Sequence, residues 1–325
     1  MISMEIGVVA IGRNEGKRLI ACLTSVQSKA NRIVYVDSGS SDGSVEAAEQ
    51  IGAFVVRLDL TQPFTAARAR NEGFAALKAL NPDIRFVQFV DGDCTVVEGW
   101  LEKALAFMEQ QKDTAIVCGR RRELDPSAST YNQLCDIEWD TPTGEALACG
   151  GDALVRADAF AAVGGFQPKL IAGEEPELCV RLRENGWKIW RLDAEMTRHD
   201  AAMTRFGQWW MRTVRAGHAF AEVSRLHRSS QFGIWKRETW RAVFWGGLLP
   251  LTICLGAMIH PAVLGGFVVY LFQMCRIAVN RGPASFQSWI YALFMTLGKL
   301  GEFQGILRFY RRQWSGQVVQ LIEYK

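Results

Sequence analysis

The chain has 325 residues, with 37 lysines and arginines against 34 aspartates and glutamates, so a net charge of +3 gives no footprint for wholesale nucleic-acid binding. Its eight cysteines, at 22, 94, 118, 135, 149, 179, 254 and 275, form no CxxC pair; they exclude a zinc-finger framework and read as reduced, mostly buried thiols of a cytosolic compartment. The length suits one large domain, or one of about 200 residues with an appendage.

Met1 to Ile11 lacks the basic start, long apolar core and small-residue cleavage site of a secretory signal. Ile6–Ile11 reads instead as a first strand. Short apolar runs then alternate with amphipathic stretches: helix Glu15–Ser28, strand Arg32–Asp37, helix Ser41–Ile51, strand Ala53–Arg57, helix Thr65–Leu80, strand Arg85–Val90, helix Glu98–Gln110 and strand Thr114–Cys118. This alternation predicts an α/β fold of βαβ units around a mostly parallel sheet. In such sheets ligands sit outside the carboxyl ends of the strands.

Two of those strand ends are conspicuously polar. The first, Val36-Asp37-Ser38-Gly39-Ser40-Ser41-Asp42-Gly43-Ser44, is either a phosphate-binding helix start or an ordinary loop with an N-cap. The second, Val90-Asp91-Gly92-Asp93, delivers two carboxylates separated by one glycine, hard oxygen ligands that suit Mg²⁺ or Mn²⁺ carrying a diphosphate. Asp-Gly is also a common hairpin tip, so a plain turn fits these residues equally. No G-x-G-x-x-G follows the first strand and no G-x-x-x-x-G-K-[ST] occurs, which speaks against dinucleotide and P-loop sites.

Composition shifts sharply after Arg241. Ala242–Cys275 contains no Asp, Glu, Lys or Arg, a run longer than the ~20 residues that one membrane span needs. His260-Pro261 divides it, predicting a helical hairpin over about 243–259 and 262–279. Lys236, Arg237 and Arg241 precede the hairpin and Arg276 and Arg281 follow it, which by the positive-inside rule puts both ends at the cytoplasmic face. Each arm is slightly short, so the hairpin either spans or is re-entrant. A further segment, about 286–312, has near-helical apolar spacing and ends in Arg308, Arg311 and Arg312; it reads as a helix lying in the interface. A fully buried helical core is the competing reading of the whole region. The expected division is a catalytic domain over 1–230 and a membrane region over 231–325.

Taken together, Val9-Ala10-Ile11-Gly12-Arg13-Asn14-Glu15, Asp37-Ser38-Gly39-Ser40-Ser41-Asp42, Ala69-Arg70-Asn71-Glu72-Gly73 and Asp91-Gly92-Asp93 occur in an order that resembles the family 2 glycosyltransferases of the GT-A fold. Gly150-Gly151-Asp152, Gly164-Gly165-Phe166 and Gly173-Glu174-Glu175-Pro176 resemble that family's acceptor loop and acidic motif, and the resemblance covers about residues 5–215. It implies an inverting transferase that moves a sugar from a nucleotide-sugar, by family habit UDP-linked. Ala10, Ile11 and Asp37 would hold the base, with Asn14 and Glu15 in the same donor motif. Asp42 and Arg70 would brace the diphosphate, Asp91 would contact ribose or sugar, and Asp93 would ligate Mg²⁺ or Mn²⁺ with His199 and Asp91 as further candidate ligands. Glu175, or its neighbour Glu174, would be the base. The pair departs from the family's common Glu-Asp, and a helix N-terminus favours carboxylates there in any case.

Arg212 and Arg215 share a helix face and would meet phosphates of the donor or of a lipid acceptor. Gln208-Trp209-Trp210-Met211-Arg212 alters the order of the Gln-x-x-Arg-Trp motif of processive synthases, which speaks against processivity. With the hairpin, these residues predict a protein of the inner membrane whose catalytic domain faces the cytoplasm, and a lipid-linked saccharide acceptor of cell-surface polysaccharide assembly. Transfer to a polyprenyl phosphate, a scaffold that binds sugar-nucleotide without catalysis, and a nucleotidyltransferase are the alternatives.

Overall fold

The computed structural model describes residues 6–315; Met1–Glu5 of the N-terminal segment and 316–325 of the C-terminal region lie outside the described residues. The described chain divides into two compact units, 6–204 and 205–315.

The first unit is built on a nine-stranded sheet: β1 (Ile6–Gly12), β2 (Arg32–Asp37), β3 (Phe54–Arg57), β4 (Phe86–Asp91), β5 (Cys94–Val96), β6 (Thr114–Glu123), β7 (Gly144–Ala146), β8 (Ala153–Arg156) and β9 (Lys188–His199). Strand order is β3-β2-β1-β4-β8-β6-β9-β5, with β7 on β9. The helices are α1 (Lys17–Val26), α2 (Ser44–Ile51), α3 (Ala66–Leu80), α4 (Trp100–Gln110), α5 (Thr130–Glu138), α6 (Ala157–Ala162) and α7 (Glu174–Glu184). Each element expected between Ile6 and Cys118 is present, its ends moved by a few residues at most.

β1 is apolar along its length because it is a central strand covered on both faces, and all of it but Gly12 is buried. α3 lies so close against the sheet that a Cβ on its Gly73 would collide with Val9 and Val36. β1, β2, β3 and β4 are all parallel, and their register sets Gly12 opposite Asp37 and Ile11 opposite Asp91. The polar ends of three strands therefore finish level with one another. β8 then runs antiparallel to β4 and β6, and short β5 pairs antiparallel with β9, placing Cys94 opposite His199.

β6 continues five residues past the strand end expected from the sequence, as Gly119-Arg120-Arg121-Arg122-Glu123. That stretch is polar, so its pattern gives no apolar run to read. Its strand character comes from parallel pairing with β9, where Glu123 stands opposite His199.

The second unit comprises α8 (Phe206–Leu226), α9 (Lys236–Val243), a π-helical turn Phe244–Leu248, α10 (Leu249–Ile259), a 3₁₀ stretch Pro261–Phe267, α11 (Val268–Arg281) and α12 (Phe286–Ser315). α9, the π turn and α10 form one helix, Lys236–Ile259, and Pro261–Arg281 forms a second; both are long and apolar enough to cross a membrane. Each is longer than the expected arm because its charged outer end, with Lys236, Arg237 and Arg241 in the first and Arg281 in the second, is helical too. His260 leaves the helix in an extended conformation and its Nδ1 accepts the Ala262 N–H at 3.2 Å, starting the return helix.

α8 packs along α12, which is why the units part at 204/205, ahead of the expected boundary at 230. A Cβ on Gly217 of α8 would run into the Glu302 carbonyl, and one on Gly305 into that of Val214. α12 thus buries Ala292, Thr296, Gly301, Gly305, Ile306 and Phe309 at helical spacing.

Candidate active site

The loops after β1 and β2 are laced into one floor. Asn14 donates its N–H to Ser40 Oγ at 2.9 Å and accepts the Ser41 N–H at 2.8 Å, while the Gly16 N–H reaches Ser44 Oγ at 3.0 Å. Asn14 holds φ 57°, a left-handed conformation that Asn tolerates better than most side chains. Asp37 accepts the Gly39 N–H at 2.9 Å, the Ser40 N–H at 3.1 Å and the Tyr35 hydroxyl at 3.1 Å. Asp42 accepts the Ser44 N–H at 3.1 Å, and its hydrogen bonds with Ser44 lower its carboxyl pKa. Glu15 pairs with Arg18 at 2.7 Å. Ala10 is buried in β1 between Tyr35 and Val90, and the Ile11 carbonyl accepts the Gly92 N–H at 2.8 Å, tying the turn after β4 to the end of β1.

Arg70, on the buried face of α3, is the hub of the site. Its Nη1 donates to Glu174 Oε1 at 2.9 Å and Glu175 Oε1 at 3.1 Å, and its Nη2 donates to Asp91 Oδ1 at 2.7 Å. One guanidinium fork therefore fixes the first turn of α7 against the end of β4, a task that a lysine's point charge could not divide in this way. Asp91 also receives Arg121 Nη2 at 3.4 Å. Burial works against its charge, but Arg70 and Arg121 outweigh that and hold its pKa below the ordinary carboxylate value.

The two glutamates differ in access. The Glu174 side chain is 4% exposed and the Glu175 side chain 16%, so Glu175 is the more accessible of the two. Burial first, then the neighbouring Glu174 charge, push the Glu175 pKa up to about 7, with Arg70 opposing. A carboxylate so placed is poised to exchange a proton near neutral pH.

Beside it, Asp93 Oδ2 lies 3.3 Å from His199 Nε2, and Glu123 Oε2 lies 3.8 Å behind the ring at Nδ1. Burial pulls the His199 pKa down, but the Asp93 charge and the nearby Glu123 carboxylate raise it overall. Asp93, Cys94 and His199 offer ligand atoms within 4.8 Å of one another, as do Asp91, Cys94 and Asp152. Burial holds the Cys94 thiol well above its ordinary pKa, so it stays protonated and leaves the carboxylates and imidazole as an oxygen and nitrogen donor set, with the Glu123 carboxylate 3.8 Å behind His199 where metal-bound histidines commonly have an outer partner. These residues fit a divalent cation of the Mg²⁺ or Mn²⁺ kind.

The first unit thus brings Arg70, Asp91, Glu174 and Glu175 into one cluster, with Asp93, just after β4, paired to His199 at the end of β9. Arg212 and Arg215 lie half-buried on α8, in the second unit. Sequence reasoning passed over Arg121 and Glu123, and picked out Asp152 only within the acceptor-loop motif Gly150-Gly151-Asp152. Asp152 accepts the Asp91 N–H at 3.0 Å, the Thr197 hydroxyl at 2.7 Å and Arg121 at 2.8 Å. Arg121 sits in a run of three arginines, whose alternation along a strand was the available signal: Arg121 turns inward while Arg122 is 44% exposed.

Gly151 closes the cluster from the loop before β8. A Cβ there would collide with Arg70 Nη2 and stand 3.1 Å from both Asp91 Oδ2 and Glu175 Oε1. Gly151→Ala is therefore expected to push Arg70 off its carboxylates and lower turnover about tenfold or more at constant fold content. Steady-state kinetics with circular dichroism checks this; unchanged turnover would show that the loop yields without moving Arg70.

Residues 8–162 match the family described as Glycosyl transferase family 2. The chain is similar to Glycosyltransferase AglE of Haloferax volcanii, 24% identical over 294 residues that span 84% of this chain and 93% of that protein. It is also similar to the pre-mycofactocin glycosyltransferase of Mycobacterium tuberculosis, 27% identical over 241 residues, 69% of this chain and 48% of that one. Among solved structures, the mannosyltransferase PcManGT from Pyrobaculum calidifontis, in complex with GDP-Man and Mn²⁺, has a similar fold. The TM-score is 0.61 at 14% identity, over 96% of this chain and 88% of that chain.

Proposed function

Since this chain carries a family 2 glycosyltransferase domain over residues 8–162, we propose that it moves a sugar, with inversion, from a nucleotide-sugar, UDP-linked by preference, to a hydroxyl of a lipid-linked saccharide. The observation that carries the reading is the Arg70 fork, which holds Glu175 beside Asp91 while the Glu175 pKa stands at about 7.

The reaction is a single displacement. The acceptor oxygen attacks the anomeric carbon, the bond from that carbon to the diphosphate oxygen breaks with its electron pair, and Glu175 takes the acceptor's proton. Asp91, kept ionised by Arg70 and Arg121, receives the ribose or sugar hydroxyls. Asp37 and Asn14 hold the donor loops in shape, and Ala10 and Ile11 lie beneath the base. Asp93 and His199, with Asp91 nearby, would hold a divalent cation, which would supply charge neutralisation for the departing nucleoside diphosphate. Arg70 is read here as the residue that positions Glu175 and Asp91, rather than as a direct brace of the diphosphate.

Two helices fit to cross a membrane, with basic residues at both outer ends, favour an inner-membrane protein with its catalytic domain at the cytoplasmic side and an acceptor presented by a lipid. The test is a panel of nucleotide-sugars with Mg²⁺ or Mn²⁺ and membrane lipid extract, scored by release of nucleoside diphosphate. One donor is expected to be consumed only with metal and extract together, and EDTA to stop it. No consumption of any donor despite tight donor binding would replace this reading with a non-catalytic scaffold.

A further inference from the structure

Arg241, Arg276, Ile277, Asn280 and Arg281 of the two apolar helices, with Tyr291 of α12, line a wide-open surface hollow of about 410 Å³, in which all three arginines are solvent-exposed. Its size is that of a small-ligand site. Among the described residues, none of the three arginines has a carboxylate partner within 4 Å; Arg281 instead lies over the Tyr291 ring at 4.6 Å. A second cavity of about 240 Å³ shares Arg241, Ile277 and Tyr291 and adds Lys299, whose ammonium is held by Glu302 at 2.7 Å. Three guanidiniums sharing one hollow repel each other, and a bound anion converts that repulsion into attraction.

The position says which anion. Arg241 follows the first residue of the Lys236–Ile259 helix by five places, and Arg276 precedes the last residue of Pro261–Arg281 by five. At 1.5 Å per residue each is about 7 Å from its helix end, so the two lie at matching depths. Beyond them the helices carry Leu251, Leu255, Ile259, Leu264, Leu271 and Phe272, apolar side chains each half or more exposed. A bilayer that covers those residues brings its headgroup phosphates to the depth of the arginines, where long cationic side chains reach toward phosphate.

We infer that this cavity binds the phosphate group of an anionic membrane lipid, held by the guanidiniums of Arg241, Arg276 and Arg281. The inference rests on the membrane-bound reading above but uses none of its transfer chemistry. Arg forks suit a phosphate's paired oxygens, and Asn280 adds an amide donor on the same wall.

The test uses the full chain in nanodiscs of phosphatidylcholine with or without phosphatidic acid, moved into detergent and analysed by native mass spectrometry for retained lipid. Wild type is expected to keep phosphatidic acid through the exchange. The double variant Arg241→Gln, Arg276→Gln is expected to retain about tenfold less, the equivalent of one charge-assisted contact. The pair Arg241→Gln, Arg276→Lys, which restores the charge at 276, should recover part of the loss. Arg237→Gln, an exposed arginine at the same helix start outside the cavity, should retain lipid as wild type does. Equal retention by the double variant, equal loss in Arg237→Gln, or displacement of phosphatidic acid by equimolar inorganic phosphate would each overturn the assignment, the last by showing a small-anion site. The assay contains no donor, so failure of the transferase reading, seen as no nucleoside diphosphate release, stays separate from failure of this one.

Discussion

Glu175→Gln is expected to cut sugar transfer by about 10²- to 10⁴-fold and to make the protein more stable at pH 8. The loss follows from the role: a carboxylate base contributes about 10²- to 10⁴-fold, and an amide of the same shape cannot take the acceptor's proton. The gain follows from linkage. The Glu175 carboxyl has a folded-state pKa of about 7 against an ordinary 4.5, because burial and Glu174 both oppose its charge. Between those values the unfolded chain releases this proton before the folded one does. Stability contributed by the protonated form is therefore full below 4.5 and is lost as pH rises to about 7. The glutamine carries no such charge, so above pH 7 the variant is relieved of a cost on the order of 3 kcal/mol at most. Arg70 keeps Glu174 and Asp91 as partners, so the substitution leaves no orphaned cation. Thermal unfolding should show a midpoint higher by a few degrees at pH 8 and none of that gain at pH 4. Wild-type kcat/KM should climb about tenfold per pH unit below 7 and level off above it. A folded variant with wild-type turnover would remove Glu175 from the mechanism.

How far this site was legible in the sequence depends on where each residue gets its partners. Asp37, Asp91 and Asp93 announce themselves because they end apolar strands, and parallel pairing with β1 forces those ends into line. Glu174 and Glu175 stand out as the start of a helix. Arg70 was legible as a residue of interest but not in its task, since its partners lie 21, 104 and 105 positions away and only the closed fold brings them to one fork. Arg121 and Glu123 were invisible because a polar strand held by pairing with β9 carries no apolar period. The hairpin was readable from composition, whereas the pairing of α8 with α12 depends on glycines whose value lies in what they leave out. Sequence pattern reports one element's own environment; sites joined from several elements need the topology as well.

Asp93→Ala is expected to reduce transfer at least as far as the loss of the base, but by a different route that separate measurements can tell apart. Glu175→Gln should still bind donor with a dependence on Mn²⁺, because Asp93, His199 and Glu123 are untouched. Asp93→Ala removes the one carboxylate in contact with His199 Nε2 and leaves the ring with Glu123 alone, at 3.8 Å. Donor binding, followed by calorimetry across a Mn²⁺ titration, should then need at least 10- to 100-fold more metal, the scale that even outer partners of metal ligands command. The fold has reason to tolerate the change. Asp93 repels Asp91 across the turn, so its removal deepens the hold of Arg70 and Arg121 on Asp91 while forfeiting one contact to His199. Those terms oppose each other, and the melting temperature should move little. A variant that keeps both wild-type turnover and the wild-type Mn²⁺ titration would place the cation elsewhere, with the cluster of Asp91, Cys94 and Asp152 as the next site to test. A variant that loses turnover while its metal titration is unchanged would make Asp93 a residue that positions His199 rather than a ligand.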